Sequence, residues 1–331
     1  MILGRGDAMA WDVVTLGEAL VRLTPPVMRR LEDAATFEVD ASGSEANTAV
    51  GLARLGKSVL WLSRLTDNPL GRGITRRLSG LGVDTQQVVW TEKDRVGMVF
   101  QEDFVPPRSA RALYDRGGSA MSRIRPADLP AVFAPDNARM LHLTGITPAL
   151  SSPANNTALH ALKRAVESGW RVSFDVNYRA HLWSSDDARA GIEPFLRAAD
   201  VAFISRTDAR AVYGLAESLP AQRVLDTVAA YYPQAVWVLT LGSGGAISRE
   251  RDGKIYRQDA LKCTDISQTG CGGAFSAGFL AAHLDGAGAS ESLKWGCAAA
   301  ALKRATPGDL AVIEKTDVLR LVKGIKDSER K

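Results

Sequence analysis

Thr269-Gly270-Cys271-Gly272-Gly273-Ala274-Phe275 is the stretch whose reading decides the fold. It follows an extended run and opens an apolar helix over 274–284. Glycines at a helix start let the backbone come close to a ligand. The N–H groups of the first turn have no partner within the helix and attract negative charge. The segment therefore reads as an anion hole built from Gly270, Cys271, Gly272 and Gly273, or as a flexible glycine loop before a helix.

Working outward from it, short apolar runs alternate with helical stretches. The pattern predicts strands at 140–144, 172–176, 200–204 and 235–241. Helices are expected from Ser152-Pro153 to Gly169, over 186–198, over 220–231, over 271–284 and over 290–304, with Ser-x-x-Asp at 205–208 opening another. The first part of the chain follows the same rhythm. It gives a strand at 11–16, a helix over 45–55 ended by Gly56, a strand at 59–65, and a helix opened by Asn68-Pro69 and ended by Gly82. Strand and helix alternating at this spacing argue for a parallel sheet covered on both faces. Residues 21–40 and 95–117 break the rhythm with short alternating runs and prolines, and read as a small β-sheet lid. The main α/β body then comprises 11–20, 41–94 and 118–325, with tails at 1–10 and 326–331.

Composition narrows the function. The chain has 331 residues, 46% of them hydrophobic, and 41 basic against 37 acidic residues give a net charge of +4. The charges are spread along the chain without a basic block, so nucleic-acid binding is not expected. Three cysteines, Cys263, Cys271 and Cys297, suit neither a disulfide framework nor a zinc site. No apolar run is long enough to span a bilayer, and the first ten residues, with Arg5 and Asp7, lack the apolar core of a secretion signal. The cytoplasm is the expected location.

The glycine segment closely resembles the T-G-A-G-D-A-F signature of the ribokinase-like (PfkB) carbohydrate kinases. In that family the aspartate is the general base that deprotonates the acceptor hydroxyl. Here the position is Gly273. Further segments carry the resemblance across nearly the whole chain, closest to the 2-keto-3-deoxygluconate kinases. Asp40-Ala41-Ser42-Gly43-Ser44-Glu45-Ala46-Asn47 is similar to a G-G-A-E-A-N segment that binds sugar hydroxyls, implicating Gly43 and Asn47. By itself it is equally a capped helix. Tyr114-Asp115-Arg116-Gly117-Gly118-Ser119-Ala120 matches Y-x-R-x-x-S-A, in which the arginine grips a carboxylate. Without the match it would read as an edge strand with solvated charges. Asp175-Val176-Asn177-Tyr178-Arg179, followed by Leu182-Trp183, matches D-x-N-x-R-x-x-L-W and supplies a second arginine, Arg179. His142, in a further matching run over 141–150, is expected to be packed in the sheet.

The nucleotide side departs further from the pattern. Leu239-Thr240-Leu241-Gly242-Ser243-Gly244-Gly245 resembles the K-x-G-x-x-G turn near ATP, with Thr240 in the place of lysine. A β-hairpin turn is the plainer reading. Cys297 stands where asparagine is usual, beside an alanine run expected to wall the adenine pocket. The N-x-x-E motif that organises magnesium and its water reads Ser205-Arg206-Thr207-Asp208. Asp208 would act through water, or simply cap a helix.

The resemblance implies a ribokinase-like three-layer α/β/α domain with a mainly parallel sheet and a β lid, and a homodimer paired through that lid. It implies transfer of the γ-phosphate of ATP, with Mg²⁺, to a primary hydroxyl of a 2-keto-3-deoxy sugar acid. Tyr114, Arg116 and Arg179 would hold the acid. Thr240, Gly242, Gly245 and Cys297 would lie at the nucleotide. A positioned base is worth about 10²–10⁴-fold in rate, so loss of the aspartate at 273 is expected to cripple turnover without abolishing it. Asp265, eight residues upstream at the end of the extended run, is not expected to substitute. The alternative is a pseudo-kinase that binds a sugar acid or nucleotide without transfer. A nucleoside or neutral-sugar kinase is a third reading, opposed by the two arginines.

Overall fold

The computed structural model describes residues 10–103 and 107–324. The expected tails lie, apart from Ala10, outside these residues. In chain order, β1 (Trp11–Leu16), β2 (Leu20–Thr24) and β3 (Glu38–Ser42) lead into helix α1 (Ser44–Arg54). Then come β4 (Val59–Leu62), β5 (Arg64–Thr66), α2 (Pro69–Ser79), β6 (Val89–Thr91), β7 (Met98–Glu102) and β8 (Arg111–Asp115). The second part runs β9 (Ala138–Thr144), α3 (Ile146–Ala149), α4 (Ser152–Glu167), β10 (Arg171–Asp175), α5 (Ser185–Ala198), β11 (Val201–Ser205), α6 (Arg206–Tyr213) and α7 (Ala221–Tyr231). It closes with β12 (Val236–Thr240), β13 (Ala246–Arg249), β14 (Ile255–Gln258), α8 (Cys271–Leu284), α9 (Ala289–Arg304) and α10 (Lys315–Lys323).

Eight strands form the main sheet in the order β14-β13-β12-β11-β10-β9-β1-β4. All neighbours are parallel except at the β12-β13-β14 edge, which is antiparallel. Side chains alternate between the two faces, as the pleat requires. Val14, Ala202, Ile204 and Leu239 pack with apolar residues of α4, α5, α6 and α7. Val13, Val201, Phe203 and Val238 pack with residues of α1, α2, α8, α9 and α10. This is the three-layer α/β/α arrangement expected from the sequence. A four-stranded sheet, β3-β2-β7-β8, stands beside it, drawn from the segments that broke the rhythm.

Three local readings change. The helix over 152–167 is capped by Ser151, whose hydroxyl accepts from Ala154 N–H, and not by Ser152. The apolar run 59–65 is two strands. β4 stays in the main sheet, and after Ser63 the chain leaves to pair β5 with β6. The stretch over 259–269 is irregular and not a strand, so Asp265 does not end one.

Candidate active site

The C-terminal ends of the parallel strands meet the starts of α1 and α8, the crevice where open α/β sheets bind ligands. A cavity of about 460 Å³ lies there. Gly43 and Asn47 reach it from the start of α1, Tyr114 and Arg116 from β8 and the residue after it, and Arg179 from the loop after β10. Asp208 and Thr240 reach it from α6 and β12, and Gly270, Gly272 and Gly273 from the start of α8. A second cavity, of about 420 Å³, is lined by Thr240, Gly242, Gly245, Cys271 and Cys297, with Ala300 and Ala301 of α9 as a wall. Thr240, Gln268 and Gly272 line both. The residues expected at sugar and nucleotide thus fall into two adjoining cavities that meet at the glycine segment. Cys271 lines the nucleotide-side cavity alone.

The glycine segment is shaped by its neighbours. Gly270 caps α8 with φ 79°, and a Cβ there would stand 1.9 Å from the carbonyl oxygen of Asp309. Only glycine tolerates both demands. The first backbone hydrogen bond of the helix runs from Ala274 N–H to Gly270 O, at 3.0 Å. The N–H groups of Cys271, Gly272 and Gly273 donate to no protein atom among the described residues. That is the charge arrangement of an anion hole. Gly245 is the second forced glycine, since a Cβ at its φ of 83° would meet Gln258 O at 2.0 Å. The 242–245 segment is a hairpin turn between β12 and β13 and also lines the second cavity.

The cations of the cavity are unequal. Arg116 is bound to Glu18, with Nε donating to Oε2 at 2.8 Å and Nη2 to the same oxygen. The other oxygen of Glu18 accepts from the Ser119 hydroxyl. Arg116 also lies 5.6 Å from the centroid of the Tyr114 ring, and that ring stacks on His181 at 4.7 Å. Arg179 is exposed and makes no ion pair among the described residues. Asn47 is committed to structure on one side. Its Nδ2 donates to Gly270 O at 2.8 Å and its Oδ1 accepts from Ala311 N–H at 2.6 Å, tying α1 to α8.

Two carboxylates, Asp175 and Asp208, line the cavity within the influence of Arg179. Burial pushes Asp175 up to about 7, and the nearby charge of Asp208 adds to the rise, while Arg179 opposes it. Burial likewise raises Asp208, against the Ser205 hydroxyl and Arg179. Ser205 also caps α6 by accepting from Asp208 N–H at 2.9 Å, and Asp208 lines the cavity. His142 is fully buried, its Nδ1 3.0 Å from Ser173 Oγ, and burial lowers it to about 3, so it stays neutral in the sheet. Asp265 pairs with Arg304 at 2.6 Å and does not line the acceptor cavity.

The match of the pfkB carbohydrate kinase family runs over residues 11–316. The chain belongs to the pfkB family of carbohydrate kinases. Among curated relatives, 2-dehydro-3-deoxygalactonokinase of Haloferax volcanii is 37% identical over 96% of this chain and 98% of its own length. The 2-dehydro-3-deoxygluconokinase of Thermoproteus tenax is 32% identical over 90% of each chain. The crystal structure of 2-dehydro-3-deoxygluconokinase from Thermotoga maritima superposes with a TM-score of 0.90 at 29% identity, covering 96% of this chain and 100% of that one.

Kinases of this family use ATP with Mg²⁺. Among the described residues of this family member, no group of three or more His, Cys, Asp or Glu is placed to hold a metal. Asp175 and Asp208 nonetheless fit Mg²⁺, which keeps several waters and takes one or two protein carboxylates beside phosphate oxygens. Both carboxylates are raised by burial, and the charge of Asp208 raises Asp175 further, a donor set that a divalent cation relieves. Sequence reasoning missed Glu18, Asp175 and Asp309 as cavity residues. Asp175 carried a signal in the quoted motif. Glu18 and Asp309 carried none, because their partners are remote in sequence.

Proposed function

We propose that the chain transfers the γ-phosphate of ATP to a hydroxyl of a 2-keto-3-deoxy sugar acid. One observation carries this reading: Arg116 and Arg179 line a single cavity whose wall is the unpartnered N–H groups at the start of α8. Arginines favour a carboxylate on the acceptor, and the helix start favours the transferring phosphate. The names of the two curated relatives, both kinases of 2-dehydro-3-deoxy sugar acids, support the same substrate class. Gly43 and Asn47 would meet sugar hydroxyls, and Tyr114 would pack on the acid. In the adjoining cavity Thr240, Gly242, Gly245 and Cys297 would take the nucleotide. Asp175 and Asp208 would hold hydrated Mg²⁺, which supplies charge neutralisation at the phosphates when bound.

Gly273 bears no proton acceptor, and this favours a second reading, a module that binds the acid without transferring phosphate. Calorimetry with 2-keto-3-deoxygluconate and with ATP–Mg²⁺, beside an ADP-release assay, tests both. Binding with turnover supports the kinase. Binding without turnover supports the module, and failure to bind the acid sinks both. Pairing of two copies through the outer face of the second sheet, where Val39 and Leu113 are about 60% exposed, and a cytoplasmic location complete the proposal.

A further inference from the structure

The geometry points to Asp309 as the group that takes the proton from the acceptor hydroxyl, in place of the carboxylate missing at Gly273. The assignment rests on the sugar-acid kinase reading above and deepens it.

Among the described residues the carboxylates lining the acceptor cavity are Glu18, Asp175, Asp208 and Asp309. Both oxygens of Glu18 are taken, one by Arg116 and one by Ser119. Asp175 ends β10 and Asp208 lies in the first turn of α6, where both line the cavity beside Arg179 and suit a cation. Asp309 comes from a different element, the turn after α9, and packs against the start of α8. Its Oδ1 lies 2.8 Å from the point where a Cβ on Gly270 would be. The Nδ2 of Asn47 lies 2.8 Å from that same point and 2.9 Å from the corresponding point on Gly273. Asp309 Oδ1 therefore borders the start of α8 beside Gly270, and the Asn47 amide borders both Gly270 and the vacated position.

Its two oxygens are not equivalent. Oδ2 accepts from the Ser42 hydroxyl at 2.5 Å and from Gly43 N–H at 3.2 Å, both in the segment that enters α1 along the cavity. Oδ1 accepts no hydrogen bond from a described residue and is not among the sealed, unsatisfied atoms. The turn that carries it is fixed from behind. The Nζ of Lys303, a fully buried side chain, donates to Thr306 O at 3.1 Å, and Ser267 Oγ donates to Gly308 O at 3.3 Å. One oxygen anchored, one open to the cavity and a rigid backbone behind them are the requirements of a positioned base.

The step balances without another reactant. The acceptor O–H gives its proton to Asp309 Oδ1 as its oxygen bonds to the γ-phosphorus. The bond from that phosphorus to the bridging oxygen breaks, and ADP leaves with the electron pair. The N–H groups of Gly272 and Gly273 face the transferring phosphoryl oxygens.

Asp309→Asn tests the assignment, because the amide oxygen can still accept from Ser42 and Gly43. With 2-keto-3-deoxygluconate and ATP–Mg²⁺, kcat should fall about 10²–10⁴-fold, while the calorimetric Kd for the acid changes less than about threefold. Asp309→Glu keeps the charge and moves it by one methylene, and should lose less than Asn. A role confined to anchoring Ser42 and Gly43 predicts the reverse order, with Asn mild and Glu severe. That order, or a near wild-type kcat in Asp309→Asn, overturns the assignment. A wild-type protein that binds the acid but never turns over overturns it too and leaves the binding reading standing. A protein that fails to bind the acid removes both.

Discussion

Gly273→Asp returns to the chain the carboxylate that the family resemblance places there, and the structure sets what that costs. A Cβ at 273 would stand 2.9 Å from Asn47 Nδ2, 3.2 Å from Asn47 Cγ and 3.3 Å from Thr48 Oγ1, where ordinary contact is 3.4–4 Å. The Asn47 amide cannot simply turn away, because it holds Gly270 O and Ala311 N–H. Overpacking of this kind costs about 1–3 kcal/mol. Two terms oppose it. Replacing glycine inside a helix gains about 0.3 kcal/mol for aspartate, and an acidic side chain in the first turn gains about 0.3–1 kcal/mol. The overpacking wins by about 1 kcal/mol, and the melting temperature should fall by about 2 °C. With Asp309 already accepting the proton, kcat in a coupled ADP-release assay should rise less than about tenfold. In the Asp309→Asn background the same substitution should recover much of a loss of about 10²–10⁴-fold. A rise of about 10³-fold from Gly273→Asp alone would show that the wild-type site has no working base and refute the reasoning. A raised melting temperature would refute the packing argument.

Other consequences follow from the charges of the cavity. Glu18→Gln leaves the Arg116 guanidinium without its partner, at a site where the two side chains are 2% and 11% exposed. Breaking such a pair costs about 3–5 kcal/mol, and scanning calorimetry should show a fall of at least about 6 °C; an unchanged melting temperature would mean the pair is dispensable. Asp175 is raised from the ordinary carboxylate value to about 7, so the folded state binds a proton that the unfolded chain has released. Stability of the protein without ligands should therefore decline as pH rises from about 4 to about 7 and then level off. Asp175→Asn should flatten that decline, and Mg²⁺ with nucleotide should stabilise more at pH 8 than at pH 5.5. Arg179→Ala should leave the melting temperature within about 1 °C, since surface changes stay within about 0.5 kcal/mol, yet weaken acid binding about 10–100-fold, the worth of a charged hydrogen bond.

The sequence carried the parts of this molecule that are local. The end of α8 at Leu284 and both ends of β1 are readable to the residue, because an apolar period of one kind ends or runs there. The run 59–65 misleads for the same reason. It reads as one mostly apolar run, interrupted only by Ser63 and Arg64, and the departure of β5 toward β6 after Ser63 depends on a partner strand about 25 residues on. In the site, glycines and arginines are legible through the motifs that contain them. Their electrostatic partners are not. Glu18 meets Arg116 across 98 positions, and Asp309 meets Ser42 across 267. No period links such pairs, and only the closing of the sheet against α1 and α8 brings them within a bond length or two.

The pairing of Arg116 also changes what that residue does for an acidic substrate. A guanidinium that arrives with its own carboxylate adds little net charge to the cavity, so in the proposed function Arg179 would supply most of the attraction and Arg116 directed donors. Substituting Arg116 alone then does more than remove a contact, because it leaves Glu18 facing the incoming carboxylate as a buried negative charge. Arg116→Met should weaken acid binding more than Arg179→Ala does, by at least about 100-fold, since an uncompensated buried charge adds to the lost hydrogen bonds. Glu18→Gln combined with Arg116→Met removes the repulsion and should bring affinity back to within about tenfold of wild type. Titration calorimetry of the single and double variants with 2-keto-3-deoxygluconate measures the coupling directly. If the double variant binds as weakly as Arg116→Met, Arg116 holds the carboxylate as a full charge, and Glu18 is only its support.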